Sequence, residues 1–467
     1  IIKLILKIVM HAHSFSLEPK IVKKIKTKNR LIQTAIPCEG TKEILKRLEM
    51  VESRSMHGQL PIIWEKAIDF NVFDPAGNCW IDFTSTIFVA NIGHSNKRLS
   101  NAIKKTIDSP LLNCYAYSNR KRADYLEKLI KFAGKNFQKA FLLSAGTEAT
   151  EAALKLMRMN GKKKSKKRLG IIAIENNWHG RTLGAQMMSS NSSQKEWIGY
   201  QDKDIHFISF PYPWSLNEKK GIEMLNESIL ELKNNGINIE TDICGFILET
   251  FQGWGAIFYP KEFVQEIKKI CDENNILLTF DEMQSGFGRT GKNFGYEHYD
   301  VVPDLICTGK GMGGGVPLSG VLGKSEIMDL PEVGNMSSTH SANPLVCAAG
   351  LAVLEEIEEK KLISKTNLKS KILFDGLNSL KEKYPKKISY IFGKGLIAAI
   401  LFKKTNNNAP DSAFASKVSE LCMQKGLLVV HTGRESIKIG PPLIITNEAL
   451  LEGIEVLDEA IYEASNS

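Results

Sequence analysis

No run of the 467-residue chain is apolar for the roughly 20 residues that a membrane-spanning helix requires. The apolar start, Ile1 to Met10, is interrupted by Lys3 and Lys7 and has no small-residue cleavage site behind it. It reads as an upstream extension with Met10 as the natural start, in preference to a degenerate signal peptide. Paired cysteines are missing too. The eight cysteines (38, 79, 114, 244, 271, 307, 347 and 422) form no C-x-x-C pair, and several sit inside apolar runs. That excludes a disulfide framework and a cysteine zinc site, and favours a reducing, cytoplasmic compartment. Charge of one sign is in modest excess: the net +9 comes from lysines scattered along the chain and not from one dense block, which argues against nucleic-acid binding. Internal repeats are absent. What remains, with 43% hydrophobic and 24% charged residues, is the composition of an ordinary globular protein long enough for two or three domains.

Residues 1–60 read as an N-terminal extension with one helix around Glu43–Val51. Over 61–94, Ile62–Glu65, Phe70–Phe73 and Cys79–Phe83 flank the turn Asp74-Pro75-Ala76-Gly77-Asn78, which predicts a small antiparallel meander packing with the C-terminal domain. Residues 95–344 alternate strands and helices. Ala140–Leu143, Leu169–Ile174, Ile243–Leu248, Ile276–Phe280, Leu305–Cys307 and Ser319–Leu322 are short apolar runs suited to buried strands. This pattern predicts an α/β fold: a large domain with a mostly parallel sheet flanked by helices. Residues 345–467 predict a smaller α/β C-terminal domain. It opens with a helix from Leu345 to about Lys360, has strands near Ile397–Phe402 and Leu427–His431, and closes with an amphipathic helix from about Asn447. Lys162–Arg168 and Asn406–Asn408 read as exposed loops.

Ligands of open α/β sheets bind beyond the carboxyl ends of the strands. There the chain carries a distinctive set of groups. Ser144-Ala145-Gly146-Thr147-Glu148 opens a helix after the first strand and suits a phosphate at a helix N-terminus. Asn177-Trp178-His179-Gly180-Arg181-Thr182 follows the second and offers an aromatic ring for stacking. Glu249 and Asp281-Glu282 end the next two, and a carboxylate there can hold a protonated ring nitrogen. Lys310, between Gly309 and Gly311, can form a Schiff base. A P-loop is excluded, because Gly follows the lysine and no G-x-x-x-x-G-K precedes it. Each signal alone has a plain structural reading as cap, packing residue or surface charge. Together they are the parts that pyridoxal phosphate needs.

These blocks, in this order, resemble the class III (omega) aminotransferases, which include 4-aminobutyrate and acetylornithine aminotransferases. The likeness runs from about Pro61 to Tyr462. It implies fold type I, a homodimer with a shared active site, and an amino group moved from an ω-amine or amino acid to a keto acid. It further implies an internal aldimine on Lys310, with Asp281 paired to the pyridine nitrogen. Gln284 would contact the ring hydroxyl, Met283 would pack on the ring, and Trp178 would lie over it, followed by His179. Gly146 and Thr147 would bind the phosphate, with Thr339 of Thr339-His340-Ser341-Ala342-Asn343-Pro344 reaching it from the neighbouring subunit.

Two positions depart from the family pattern. Trp254, in Gln252-Gly253-Trp254-Gly255-Ala256, stands where many members have Glu. Lys438 stands where many have an Arg that grips a substrate carboxylate. Lys438 is expected to attract a carboxylate only as a point charge, and Trp254 to add apolar area at the mouth. Arg434 is the alternative carboxylate receptor. Ile87, Phe88, Tyr115 and Tyr117 are candidates for the entrance. Other readings keep the cofactor but change the outcome: a racemase, aminomutase or decarboxylase on the same scaffold. A cofactor-binding paralogue without activity and a nucleotide-dependent enzyme are the rivals from other classes. No metal is expected.

Overall fold

The structure, a computed structural model, describes residues 13–212 and 221–467. Ile1 to Met10 lies outside the described residues. Seven strands form the central sheet, in the order Lys139–Leu143, Ser319–Gly323, Leu305–Thr308, Leu277–Asp281, Ile243–Glu249, Gly170–Ile174, Ile205–Ile208. All neighbours are parallel except around Ser319–Gly323, which runs antiparallel to both of its partners. Every residue of Gly170–Ile174, Ile243–Glu249 and Leu277–Asp281 is buried. Continuous apolar runs of this kind suit strands covered on both faces. Helices Gly146–Lys164 and Lys261–Asn274 are among those covering them. Ile205–Ile208 escaped the sequence reading. It is a four-residue edge strand broken by His206, so it carries no continuous apolar signal.

In a second sheet, Cys79–Asp82 pairs antiparallel with Asn71–Phe73 and Leu31–Ile32, and parallel with Leu427–Leu428. The first strand of the meander is Lys66–Ile68, not Ile62–Glu65. Asp69, in the left-handed region at φ 54°, turns the chain back one residue after Ile68 and so sets that register. A third sheet, Ile388–Lys394, Ile397–Phe402, Ser436–Ile439 and Val430–His431, shares the C-terminal region with helices Leu362–Lys383, Ser412–Gln424 and Asn447–Asn466. The basic stretch Lys162–Arg168 is not a loop throughout. Lys162, Lys163 and Lys164 form the last turn of their helix, where positive charge suits the dipole. Arg168 is buried and donates to the Ile243 and Asn274 carbonyls. No helix of the described residues is long and apolar enough to cross a membrane.

Candidate active site

Strand register brings the chemistry together. Glu249 pairs with Asp281, and Asp281 with Cys307, at the carboxyl ends of three adjacent strands. Lys310 follows three residues after Cys307. A cavity of about 310 Å³ opens over these ends, and its wall includes Glu249, Asp281 and Lys310. Gly146, Thr147, Trp178, His179, Met283 and Gln284 also line it.

Lys310 sits at φ 47°, a left-handed conformation uncommon for a side chain with a Cβ. The flanking glycines serve packing as much as access. A Cβ on Gly309 would stand 2.7 Å from the Met283 sulfur, and one on Gly311 2.4 Å from Asn91 Nδ2. Burial holds the Lys310 ammonium below the usual lysine range, while Asp281 and Glu249 pull the other way. Asp281 Oδ2 lies 2.9 Å from His179 Nδ1, and its Oδ1 accepts the Met283 N–H at 3.1 Å. His179 is thus an orienting partner for the carboxylate. Glu249 accepts the Trp178 and Gly253 N–H groups at 2.9 and 3.1 Å. Burial first, then Asp281, pushes its carboxyl up to about 8. Glu282 turns into the fold instead, bonded to Thr250 and to the Tyr296 and Gly295 N–H groups.

Gly146 begins a 19-residue helix, so the cavity wall there carries unpaired backbone N–H groups. A Cβ at Gly146 would meet Met283 Sδ at 2.8 Å. The Thr147 and Thr182 hydroxyls share a hydrogen bond of 2.6 Å, which docks the 180–182 turn on this helix. Trp178 is 38% exposed, and its free face turns to the cavity while the Arg181 guanidinium lies 4.5 Å from its ring. Sequence reasoning gave Arg181 no role. A cation beside an aromatic at a strand end was the signal available.

The C-terminal region supplies a second set of groups, none of which is on the cavity wall. Lys438 Nζ donates to the Gly253 carbonyl at 2.6 Å and to Gln284 Oε1 at 3.1 Å. Burial, followed by Lys310, brings its pKa down to about 7. Trp254 lies under the Arg434 guanidinium at 3.6 Å and edge-on to Tyr212 at 5.6 Å. Arg434 is also 3.4 Å from Glu435. Ser85–Phe88 form a left-handed turn, with φ of 46°, 52°, 61° and 67°. Such a conformation costs roughly 1–2 kcal/mol per residue. Fully buried Arg289 holds it by donating to Ser85 Oγ and Asn91 Oδ1, and Ser85 Oγ donates to the Gly440 carbonyl. Ile87 stands 43% exposed on this turn. Thr339 is exposed beside Ser341, whose hydroxyl is 3.2 Å from that of Ser144. Among the described residues no group of three or more His, Cys, Asp or Glu could hold a metal.

Known proteins resemble this chain along most of its length. The class-III aminotransferase family model matches residues 53–461. An acetylornithine aminotransferase of Caldanaerobacter subterraneus is 34% identical over 412 residues, which span 87% of this chain and 96% of that protein. A probable 4-aminobutyrate aminotransferase of Bacillus subtilis is 33% identical over 84% of this chain and 90% of its own. Among solved structures, an acetylornithine aminotransferase from Elizabethkingia anophelis superposes with a TM-score of 0.75 at 28% identity, covering 91% of this chain and 99% of that one. A transaminase from a marine Virgibacillus reaches 0.83 at 23% identity, a likeness of fold. By family match and by relatives of this closeness, the chain belongs to the class-III aminotransferases.

Proposed function

We propose that this aminotransferase uses pyridoxal 5'-phosphate bound through Lys310 and passes an amino group from an ω-amine or amino acid to a keto acid. The observation that carries the reading is one cavity holding both a lysine of lowered pKa and, at the neighbouring strand end, a carboxylate oriented by a histidine. The residues fit the cofactor. The N-terminus of the 146–164 helix suits its phosphate, Asp281 suits a protonated ring nitrogen, and Trp178 and Met283, both on the cavity wall, suit a flat ring.

When bound, the cofactor supplies an aldehyde for the amine and a ring that accepts an electron pair. The protein's part follows from its own groups. Lys310, whose amine lines the cavity, would hold the group and would move a proton to or from the donor carbon. Burial shifts Lys310 toward the neutral, basic form that such a transfer needs. Asp281, fixed by His179 and the Met283 N–H, keeps negative charge beside the ring nitrogen. Arg181 is the cation on the wall apart from Lys310, and its stacked guanidinium suits a substrate carboxylate. A homodimer, with Thr339 reaching the phosphate of the partner's site, and a cytoplasmic location complete the proposal.

Borohydride reduction of the loaded protein tests it. The label is expected on the peptide that contains Lys310, and amine donor plus 2-oxoglutarate should consume the keto acid. Label elsewhere rejects the site. A labelled Lys310 without keto-acid consumption points to a racemase, aminomutase or decarboxylase.

A further inference from the structure

Lys438 is buried beside the cavity but absent from its wall, and its donors are already committed. Its side chain leaves the Ser436–Ile439 strand at a position paired with both Ala399 and Val430, inside the four-stranded sheet. One N–H goes to the Gly253 carbonyl at 2.6 Å and another to Gln284 Oε1 at 3.1 Å. The remaining face of the ammonium lies 4.8 Å from the centre of the Phe88 ring. Phe88 belongs to the left-handed turn and packs so closely on Gly440 that a Cβ there would stand 2.2 Å from its ring. The cation is therefore enclosed by a carbonyl, an amide oxygen and a ring.

Resting on the function proposed above, we propose that Lys438 is a positioning residue: it fixes the Gln284 side chain toward the cofactor and does not receive a substrate carboxylate. The Lys438 ammonium can only donate, and the Gln284 atom it meets is the oxygen. That leaves Nε2 as the other end of the amide. No hydrogen bond joins Nε2 to the described residues, although Gln284 is on the cavity wall. Its position is closely bounded: a Cβ on Gly253 would stand 2.1 Å from it. The same Gly253 donates its N–H to Glu249 while its carbonyl accepts Lys438. One residue, Gly253, thus ties Glu249 to Lys438 and, through Lys438, to Gln284. Gln284 is left with an amide N–H₂ to offer an oxygen acceptor on a bound ring. The family's carboxylate-gripping Arg has been replaced by a cation whose contacts all lie within the protein.

The test uses the full-length protein, pyridoxal 5'-phosphate, and two donors of equal chain length that differ in a carboxylate, 4-aminobutyrate and butylamine. Lys438→Met is expected to weaken cofactor binding, read by fluorescence titration of the cofactor-free protein, by about tenfold. It should lower kcat/KM by the same factor for both donors, leaving their ratio unchanged. Gln284→Leu should reproduce the loss with Lys438 intact, and the double variant should be no worse than either single one. A Lys438→Met protein that binds cofactor normally but shows a raised KM for 4-aminobutyrate alone overturns the inference. Additive losses in the double variant overturn it as well. Should Lys438→Met fail to fold, Gln284→Leu decides: normal cofactor binding there is a rejection. Borohydride trapping at Lys310 in the unsubstituted protein checks the underlying function separately. A trapped parent with an unaffected Lys438→Met variant sinks this inference alone.

Discussion

On the large-sheet side of the site, Glu249, Asp281 and Lys310 stand at neighbouring strand ends with polar atoms open to the cavity. On the C-terminal side, Lys438 and Arg434 are cations of the same reach, yet each is taken up by protein neighbours: Lys438 by Gly253 and Gln284, Arg434 by Trp254 and Glu435. In the function proposed above, the first set would carry the chemistry and the second would support it. A cation is available to a ligand when it lies on the wall with donors to spare, as Arg181 does, and not merely because it lies close.

The sharpest way to break this contrast is to blunt the first set. Asp281→Asn keeps the shape and removes the charge; kcat/KM is expected to fall about 1000-fold with the fold intact. A loss below tenfold would put Asp281 among the supporting residues. Next comes a paired measurement on the two arginines. Arg181→Ala should raise KM for a carboxylate-bearing donor by about tenfold to a hundredfold, the worth of a charge-assisted hydrogen bond. Arg434→Ala should change it less than about threefold, since it loses mainly a cation–π contact. Equal effects would erase the distinction between the two sides.

The smallest effect is one of stability. Glu249 holds its proton in the fold up to about 8, against 4.5 for an ordinary glutamate. The unfolded chain releases that proton first, so the cofactor-free protein should lose stability as pH rises through this window, by up to about 1.4 kcal/mol per pH unit. Below the lower value the penalty is absent. Glu249→Gln should flatten the slope in thermal unfolding measured across the window. A slope unchanged by the substitution would mean that Glu249 ionises freely on the cavity wall.

Legibility in the sequence followed the same division. Lys310, Asp281, Glu249, Gly146 and Trp178 each follow an apolar run, so the rule that ligands gather at strand ends found them from local pattern. Their side-by-side placement needed register, which comes only from the paired strands. For Lys438 the sequence shows a charge able to attract a carboxylate but not the Gly253 carbonyl, distant in the chain, that takes one of its donors. For Trp254 the sequence shows apolar area but not its neighbours, the Arg434 guanidinium at 3.6 Å and the Tyr212 ring at 5.6 Å. Arg181 was passed over because it came inside a motif already explained by its neighbours. The left-handed turn at Ser85–Phe88 had little local signal: Thr86 and Ile87 are β-branched and disfavour it, and distant Arg289 and Gly440 join the Thr84 cap in holding it.

The reversed strand Ser319–Gly323 has a mechanical consequence for the lysine. In a sheet built wholly of parallel crossovers, the chain after Thr308 would depart over one face and return a helix later, leaving the segment around Lys310 anchored at one end. Here the backbone doubles back through residues 309–318 and is stitched into the sheet on both sides. In the function proposed above, a side chain that would swing away from one bond and later re-form it is mounted on a bend with two fixed feet, so the amine would travel while its root stays still.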